Sequence, residues 1–208
     1  MGVNVPNFGP GTEPGVLRRW AQTVEGLAFD LLMISDHIVV TPDVAEQYPV
    51  PFYEPFTTLA WLAGITGRIR LGTSVLIVPY RHPLLIARMA ANLNDLSGGR
   101  LVLGVGAGWA AQEFGALGVP FAQRGKLTDD YLRAVRAAWE DDQDYRGGRI
   151  PIWVGGNSEA GLRRGLLGAD TVVLDPSTGD PGETHHPETA WQALATVSAG
   201  TRHHGEQP

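Results

Sequence analysis

Apolar positions along this chain follow two alternating patterns. Short continuous runs such as Leu31-Leu32-Met33-Ile34 suit strands buried on both faces, as in parallel sheets. Between them, apolar residues recur at helical spacing, with Leu17, Trp20, Ala21, Val24 and Leu27 on one face. A second helix carries Phe56, Leu59, Ala60, Leu62 and Ala63. A third carries Ile86, Met89, Ala90, Leu93 and Leu96 and stops at Gly98-Gly99, a C-cap signal. Residues 112–117 and 126–139 also read as helical, and so do 158–167 behind Asn157 or Ser158 as N-cap. The pattern predicts strands at 3–8, 31–35, 69–78, 101–106, 151–155 and 171–175, and a Pro-rich loop at 41–55. Such alternation predicts an α/β fold with a parallel sheet, either an open doubly wound sheet or a (β/α) barrel. Six strands are visible where a complete barrel needs eight.

The pattern fades toward the C-terminus. Residues 175–187 are rich in Pro, Gly, Thr and Asp and read as loop; 189–197 read as one short helix, and 199–208 as disordered. The barrel domain is therefore expected to occupy 1–176, with loop, short helix and flexible tail over 177–208.

Composition narrows the classes. At 208 residues the chain fits one domain, and 43% hydrophobic residues are enough for a core. A net charge of -6 gives no basic footprint for nucleic acid. The absence of cysteine excludes disulfide scaffolds, zinc-thiolate sites and cysteine nucleophiles. No apolar run approaches the roughly 20 residues needed to cross a bilayer, and the N-terminus lacks the basic and apolar regions of a secretory signal. A cytoplasmic protein is the expectation.

In either α/β architecture the working residues gather at the C-terminal ends of the strands. That rule picks out Pro6-Asn7, Ser35-Asp36-His37, Gly72-Thr73-Ser74-Val75 with Pro79-Tyr80-Arg81-His82, the glycine run from Gly104 through Gly106, Ala107, Gly108 and Trp109, and Gly155-Gly156-Asn157-Ser158. His37 leaves a buried strand with a carboxylate beside it. A neutral imidazole there can hydrogen-bond a substrate oxygen or accept a proton, with Asp36 setting its tautomer; the structural alternative is a histidine that caps the loop. His82 precedes Pro83 and reads as ordering a turn. His185, His186, His203 and His204 lie in the loop-like tail without carboxylates at ligand spacing, so no metal site is expected. The glycine run has G-x-G-x-G spacing, not the G-x-G-x-x-G of a dinucleotide fingerprint. Its physical content is that glycine lets a flat ring or a chain approach the backbone closely. Gly155-Gly156-Asn157-Ser158 opens a helix whose free N–H groups and dipole suit a phosphate; an ordinary tight turn with an N-cap is the plainer alternative.

Taken together, these stretches resemble the bacterial luciferase-like monooxygenase family, particularly its coenzyme F420-dependent branch. The resemblance rests on Phe29-Asp30 through Ser35-Asp36-His37, RIRLGTSV at 68–75, YRHP at 80–83, LSGGRLVLGVGAGW at 96–109, Glu113-Phe114, ALGVPF at 116–121 and PIWVGGNS at 151–158. It runs in the family's order over residues 2–176. It implies a (β/α)8 TIM barrel of the luciferase-like type, incomplete here, with a flavin or deazaflavin at the C-terminal mouth. By resemblance, His37 lies beside the ring and the substrate, with Asp36 and Glu113 in the catalytic set. Ser74-Val75 matches a non-prolyl cis peptide backing the ring. Gly106, Ala107 and Gly108 would line its other side, and Gly155, Gly156, Asn157 and Ser158 would hold the phosphate. Asn7 and Gln112 complete the implied cofactor-binding set. The resemblance admits F420 and, as the alternative, reduced FMN. Of the 16 basic residues all but Lys126 are Arg, the bias of a G+C-rich genome, which favours F420 by association.

The chain also departs from the family pattern. Trp109 stands where some F420-dependent dehydrogenases carry a glutamate, and Glu113 is the nearest carboxylate. The segment between Trp139 and Ile150 is short, and the last two strands are not recognisable after Pro176; a shortened gene and a sequence lacking part of its gene product both fit. The resemblance implies a flavin- or F420-dependent oxidoreductase that performs hydride transfer or monooxygenation on a small organic substrate. The alternative is a shortened, non-catalytic flavin-binding protein. A homodimer through helices of the first half is expected, with neither nucleic acid nor membrane as partner.

Overall fold

Buried on both faces, the apolar runs line up side by side. A computed structural model describes residues 1–141, 150–155 and 171–173. Strands β1 (Gly2–Asn4), β2 (Leu31–Ile34), β3 (Arg70–Thr73), β4 (Leu76–Ile77), β5 (Leu101–Gly106), β6 (Ile152–Gly155) and β7 (Thr171–Val173) form one parallel sheet. Helices α1 (Pro14–Gly26), α2 (Pro42–Ala45), α3 (Pro55–Ala63), α4 (Pro83–Leu96), α5 (Ala111–Ala116) and α6 (Arg124–Asp141) make the crossovers.

The strand order is β1-β2-β3-β5-β6-β7, with β4 also pairing β5. Neighbours in the sheet are therefore neighbours in the chain, as in a barrel, and the order does not reverse in the middle as a doubly wound sheet requires. Among the described residues β1 and β7 are the outer strands and the barrel is not closed. The expected domain boundary at 176, the helices at 158–167 and 189–197, and the tail all lie outside the described residues.

Two predicted strands need correction. The first is Gly2–Asn4 instead of 3–8, although Val5 N–H still donates to the Met33 carbonyl at 2.8 Å. The predicted strand at 69–78 divides into β3 and β4 around Ser74-Val75, whose peptide bond is cis. The Pro-rich stretch 41–55 holds the short α2 and a cis Val50-Pro51 bond. Gly98 and Gly99 end α4 with φ of 70° and 81°, the left-handed conformation their sequence signalled.

The core lies between the sheet and its helices. Leu32, Ile34, Leu71, Leu101, Leu103 and Val105 of the sheet meet Ala21, Leu59, Ile86, Ala90 and Val135 of the helices, all fully buried or nearly so. At the N-terminal edge the Arg100 guanidinium donates to the carbonyls of Ala63, Thr66, Ile69 and Ser97 and to the Thr66 hydroxyl, tying α3, β3 and α4 together. The opposite edge is left for chemistry.

Pairing of β3 with β5 is tight at Gly104, where an added Cβ would overlap the Thr73 carbonyl oxygen. Gly104→Ala should therefore force the strands apart and cost about 3 kcal/mol or more. Gly115→Ala, in an exposed helical position with nothing within 4 Å of the new methyl, should be neutral or stabilising by up to about 1 kcal/mol. Urea midpoints of the two variants check the contrast.

Candidate functional site

Two pairs of sequence neighbours, each leaving a strand at the C-terminal edge, build the site. Asp36-His37 follows β2, and Tyr80-Arg81 follows β4 through the short turn Val78–Tyr80. The two side chains of each pair turn to different partners. Asp36 and Arg81 meet in a buried two-pronged ion pair, with N···O distances of 2.7 and 2.8 Å. The other Asp36 contact is the Ile77 N–H at 2.9 Å, and Arg81 reaches on to Glu54 at 2.9 Å. Burial pushes the Asp36 carboxyl above the usual aspartate range, and the bonds and charge of the guanidinium pull the other way.

His37 and Tyr80 turn to a different carboxylate. Glu113, on α5, has no exposed surface. Its Oε2 accepts from His37 Nδ1 at 2.6 Å and from the Tyr80 hydroxyl at 2.9 Å. Its Oε1 accepts the backbone N–H groups of Ile38 at 2.6 Å and Val39 at 2.9 Å. Burial alone would raise the Glu113 pKa; the bonds from His37, Val39 and Ile38 outweigh it and hold the carboxyl below its ordinary value of 4.5. Burial and the adjacent Glu113 charge push the Tyr80 phenol far above its usual range, so its hydroxyl stays a donor. With Nδ1–H given to Glu113, the neutral imidazole carries its lone pair on Nε2, the form that accepts a proton.

The tautomer-setting role expected of Asp36 thus belongs to Glu113. Asp36 gives both of its oxygens to Arg81 instead.

Aromatic rings surround His37. Tyr48 lies 4.8 Å from it between centroids, Phe52 5.5 Å and Trp109 5.9 Å, and Phe8 packs behind against Tyr48 and Phe52. The histidine is only 4% exposed, while Trp109 at the outside is 41% exposed. The aromatic shell and Tyr80, Arg81 and Glu54 were not assigned roles from sequence. A Tyr-Arg pair following a strand at the same edge as Asp-His is the signal that pointed to them.

The remaining expected residues fall as follows. Asn7 is fully buried; its side chain accepts from Ser35 N–H at 3.0 Å and donates to the carbonyls of Ser35 and Tyr53 at 2.9 and 2.6 Å. It therefore clamps the ends of β1 and β2 to the loop that carries Phe52. Ser74 and Val75 are half-buried at the break between β3 and β4, and Ala107 and Gly108 are half-buried after β5. Gly106 and Gly155 back onto Val75: an added Cβ would meet its Cγ2 at 2.6 Å and its Cγ1 at 2.8 Å. Gly108 has φ of 79°, and an added Cβ there would meet Ile77 at 2.6 Å. The chain that approaches these glycines is the protein's own. Gln112 is exposed on α5 and its N–H donates to Asp43 at 3.1 Å, linking α5 to α2. Gly156, Asn157 and Ser158 lie outside the described residues. Among those described, no cluster of His, Asp and Glu suits a metal, and no helix is long and apolar enough to cross a membrane.

A parallel sheet whose strands follow chain order, with helices as crossovers, is the arrangement of a (β/α) barrel, not closed among the described residues. A model of the luciferase-like monooxygenase family matches residues 2–206, and the chain belongs to that family. An uncharacterized protein of Mycobacterium tuberculosis is 32% identical over 172 residues, covering 69% of this chain and 60% of that protein. Monooxygenase RslO1 from Streptomyces bottropensis has the same fold, with a TM-score of 0.73 at 23% identity over 99% of this chain and 67% of that one. The coenzyme F420-dependent tetrahydromethanopterin reductase of Methanopyrus kandleri gives a TM-score of 0.66 at 20% identity, over 84% of this chain and 55% of that one. The match to the curated relative thus spans 60% of that protein's length.

The low Glu113 pKa has a consequence for stability. Its folded value lies below the unfolded value near 4.5, so its contribution is complete above that pH and drains away as the pH falls toward the folded value. Glu113→Gln should cost about 2–3 kcal/mol at neutral pH, the range for bonds to a charged group. Below pH 4.5 the difference should shrink. Urea midpoints of wild type and variant across that range give the test.

Proposed function

We propose that this chain carries the acid-base half of an oxidoreductase site that works with a flavin-type cofactor, coenzyme F420 in the first place and FMN as the alternative, on a small uncharged organic substrate. The observation that carries the proposal is the His37–Glu113 pair, 2.6 Å apart, buried at the C-terminal edge of the sheet. A histidine that merely caps a loop has no need of a buried carboxylate that fixes its tautomer and can balance an imidazolium charge.

The residues present fit such a cofactor. Ser74, Val75 and Ala107 offer a half-buried, largely apolar surface at the same edge, suited to the face of a flat ring. Gly155 ends β6 and leads into Gly156-Asn157-Ser158, whose sequence suits a phosphate. Either cofactor supplies a ring that accepts or delivers a hydride, and reduced FMN also reacts with dioxygen. The chain's own part is the proton. His37 Nε2 takes it from a substrate hydroxyl, or as imidazolium returns it to a developing oxyanion. Glu113 stabilises the imidazolium, and Tyr48, Phe52 and Trp109 keep water from the ring.

Charge supports an uncharged substrate. The Asp36, Arg81 and Glu54 charges are spent on each other, and Glu113 is spent on four donors. Exposed Ile38, Val39, Val50 and Trp109 add apolar surface on the segments that flank His37.

The test compares wild type, His37→Ala and Glu113→Gln, titrated with F420 and with FMN by fluorescence quenching and assayed on a panel of uncharged alcohols and carbonyl compounds. All three should bind one cofactor saturably. His37→Ala should lose about 10²–10⁴-fold in turnover, the worth of acid-base assistance. Glu113→Gln should lose a comparable factor, because the amide can donate to Nδ1 and move the imidazole proton to Nε2. Normal turnover by His37→Ala overturns the assignment. Saturable binding by a wild type that turns over nothing supports the non-catalytic flavin-binding reading instead.

A further inference from the structure

Tyr80 shares its acceptor with the histidine. Its hydroxyl and His37 Nδ1 both bond Glu113 Oε2, at 2.9 and 2.6 Å, while Oε1 is filled by two backbone N–H groups. Tyr80 is buried, and Phe114 packs on its ring edge-on at 4.8 Å, which fixes the direction of the hydroxyl. Packing of this kind requires no hydroxyl; phenylalanine would fill the same place.

We propose that Tyr80 is a positioning residue that sets the basicity of His37 through Glu113. This rests on the reading of His37 as the proton acceptor. An oxygen that accepts two hydrogen bonds gives less to each. The Tyr80 hydroxyl withdraws part of the carboxylate charge that would otherwise stabilise an imidazolium. The imidazole thus gives its Nδ1 proton to a carboxylate oxygen that a second donor already shares. The other charged and titratable groups around this cluster are Asp36, compensated by Arg81 and through it by Glu54, Asp43 at the start of α2, and the Tyr48 ring beside the imidazole. The bonds of Asp36 go to Arg81 and Ile77 and those of Asp43 to Thr41, Val44 and Gln112, so removal of the Tyr80 hydroxyl acts directly on the shared oxygen.

The experiment is titration of the His37 imidazole by NMR in the full chain, with His37→Ala identifying its signal. In Tyr80→Phe the midpoint should rise by about one pH unit, since a bond to a charged group is worth that order. Replacement of Tyr80 by 3-fluorotyrosine, a more acidic phenol of nearly the same size, should move the midpoint down. The opposite signs separate tuning from simple loss of packing, and the fluorinated form keeps the test decisive if the phenylalanine variant does not fold. An unchanged midpoint in folded Tyr80→Phe, or shifts of the same sign in both, would overturn the proposal. The titration needs neither cofactor nor substrate, so its outcome stands apart from the turnover of His37→Ala.

Discussion

Glu113 is a carboxylate without exposed surface, and a buried charge persists only where hydrogen-bond donors replace the water it has lost. Four donors do so here: the His37 imidazole, the Tyr80 hydroxyl and the N–H groups of Ile38 and Val39. They come from two strand ends that lie far apart in sequence. The carboxylate therefore fixes the loop after β2, the turn after β4 and the short helix α5 against one another. It also fixes which imidazole nitrogen carries the proton, so architecture and chemistry hang on the same two oxygens.

Around this centre the other polar groups act as braces. The Asp36–Arg81 ion pair joins the same two strand ends on their opposite side, and its link to Glu54 carries the brace to the start of α3. Asn7 joins β1, β2 and the loop bearing Phe52 through its amide. Each brace replaces a lost hydration shell with fixed donors, so the edge of the sheet is rigid before any ligand arrives.

Much of this was legible in the sequence, and the limits have physical causes. Strands and helices came from period, because parallel strands buried on both faces and one-sided helices leave distinct signatures. His37 was found by its place after a strand. Its partner was misassigned to Asp36, since adjacency in sequence suggests contact, whereas both Asp36 oxygens go to Arg81, 45 positions further along. The true partner, Glu113, entered only through the family resemblance, as a member of the catalytic set and the nearest carboxylate to the glycine run. Nothing local in a chain records that two residues separated by 76 positions will meet. The family resemblance implied the cis peptide at Ser74-Val75, but the division of the third strand there was missed, because the apolar pattern runs straight through it. The aromatic shell escaped notice because Phe8, Tyr48, Phe52 and Trp109 are scattered over three loops and share no period.

Val75 occupies the space of two missing side chains. One of its γ-methyls stands where a Cβ of Gly106 would be and the other where a Cβ of Gly155 would be, while its own Cβ lies 3.5 and 3.9 Å from those positions. Val75, between β3 and β4, thus shares one volume with Gly106 of β5 and Gly155 of β6. In evolutionary terms, residues 75, 106 and 155 should drift as a linked trio: a homologue with alanine at 75 has room for alanine at 106 and 155, and a homologue with a bulkier residue at 75 has no glycine left to yield. Grafting one of these residues from a relative without the other two would import its shape without its fit.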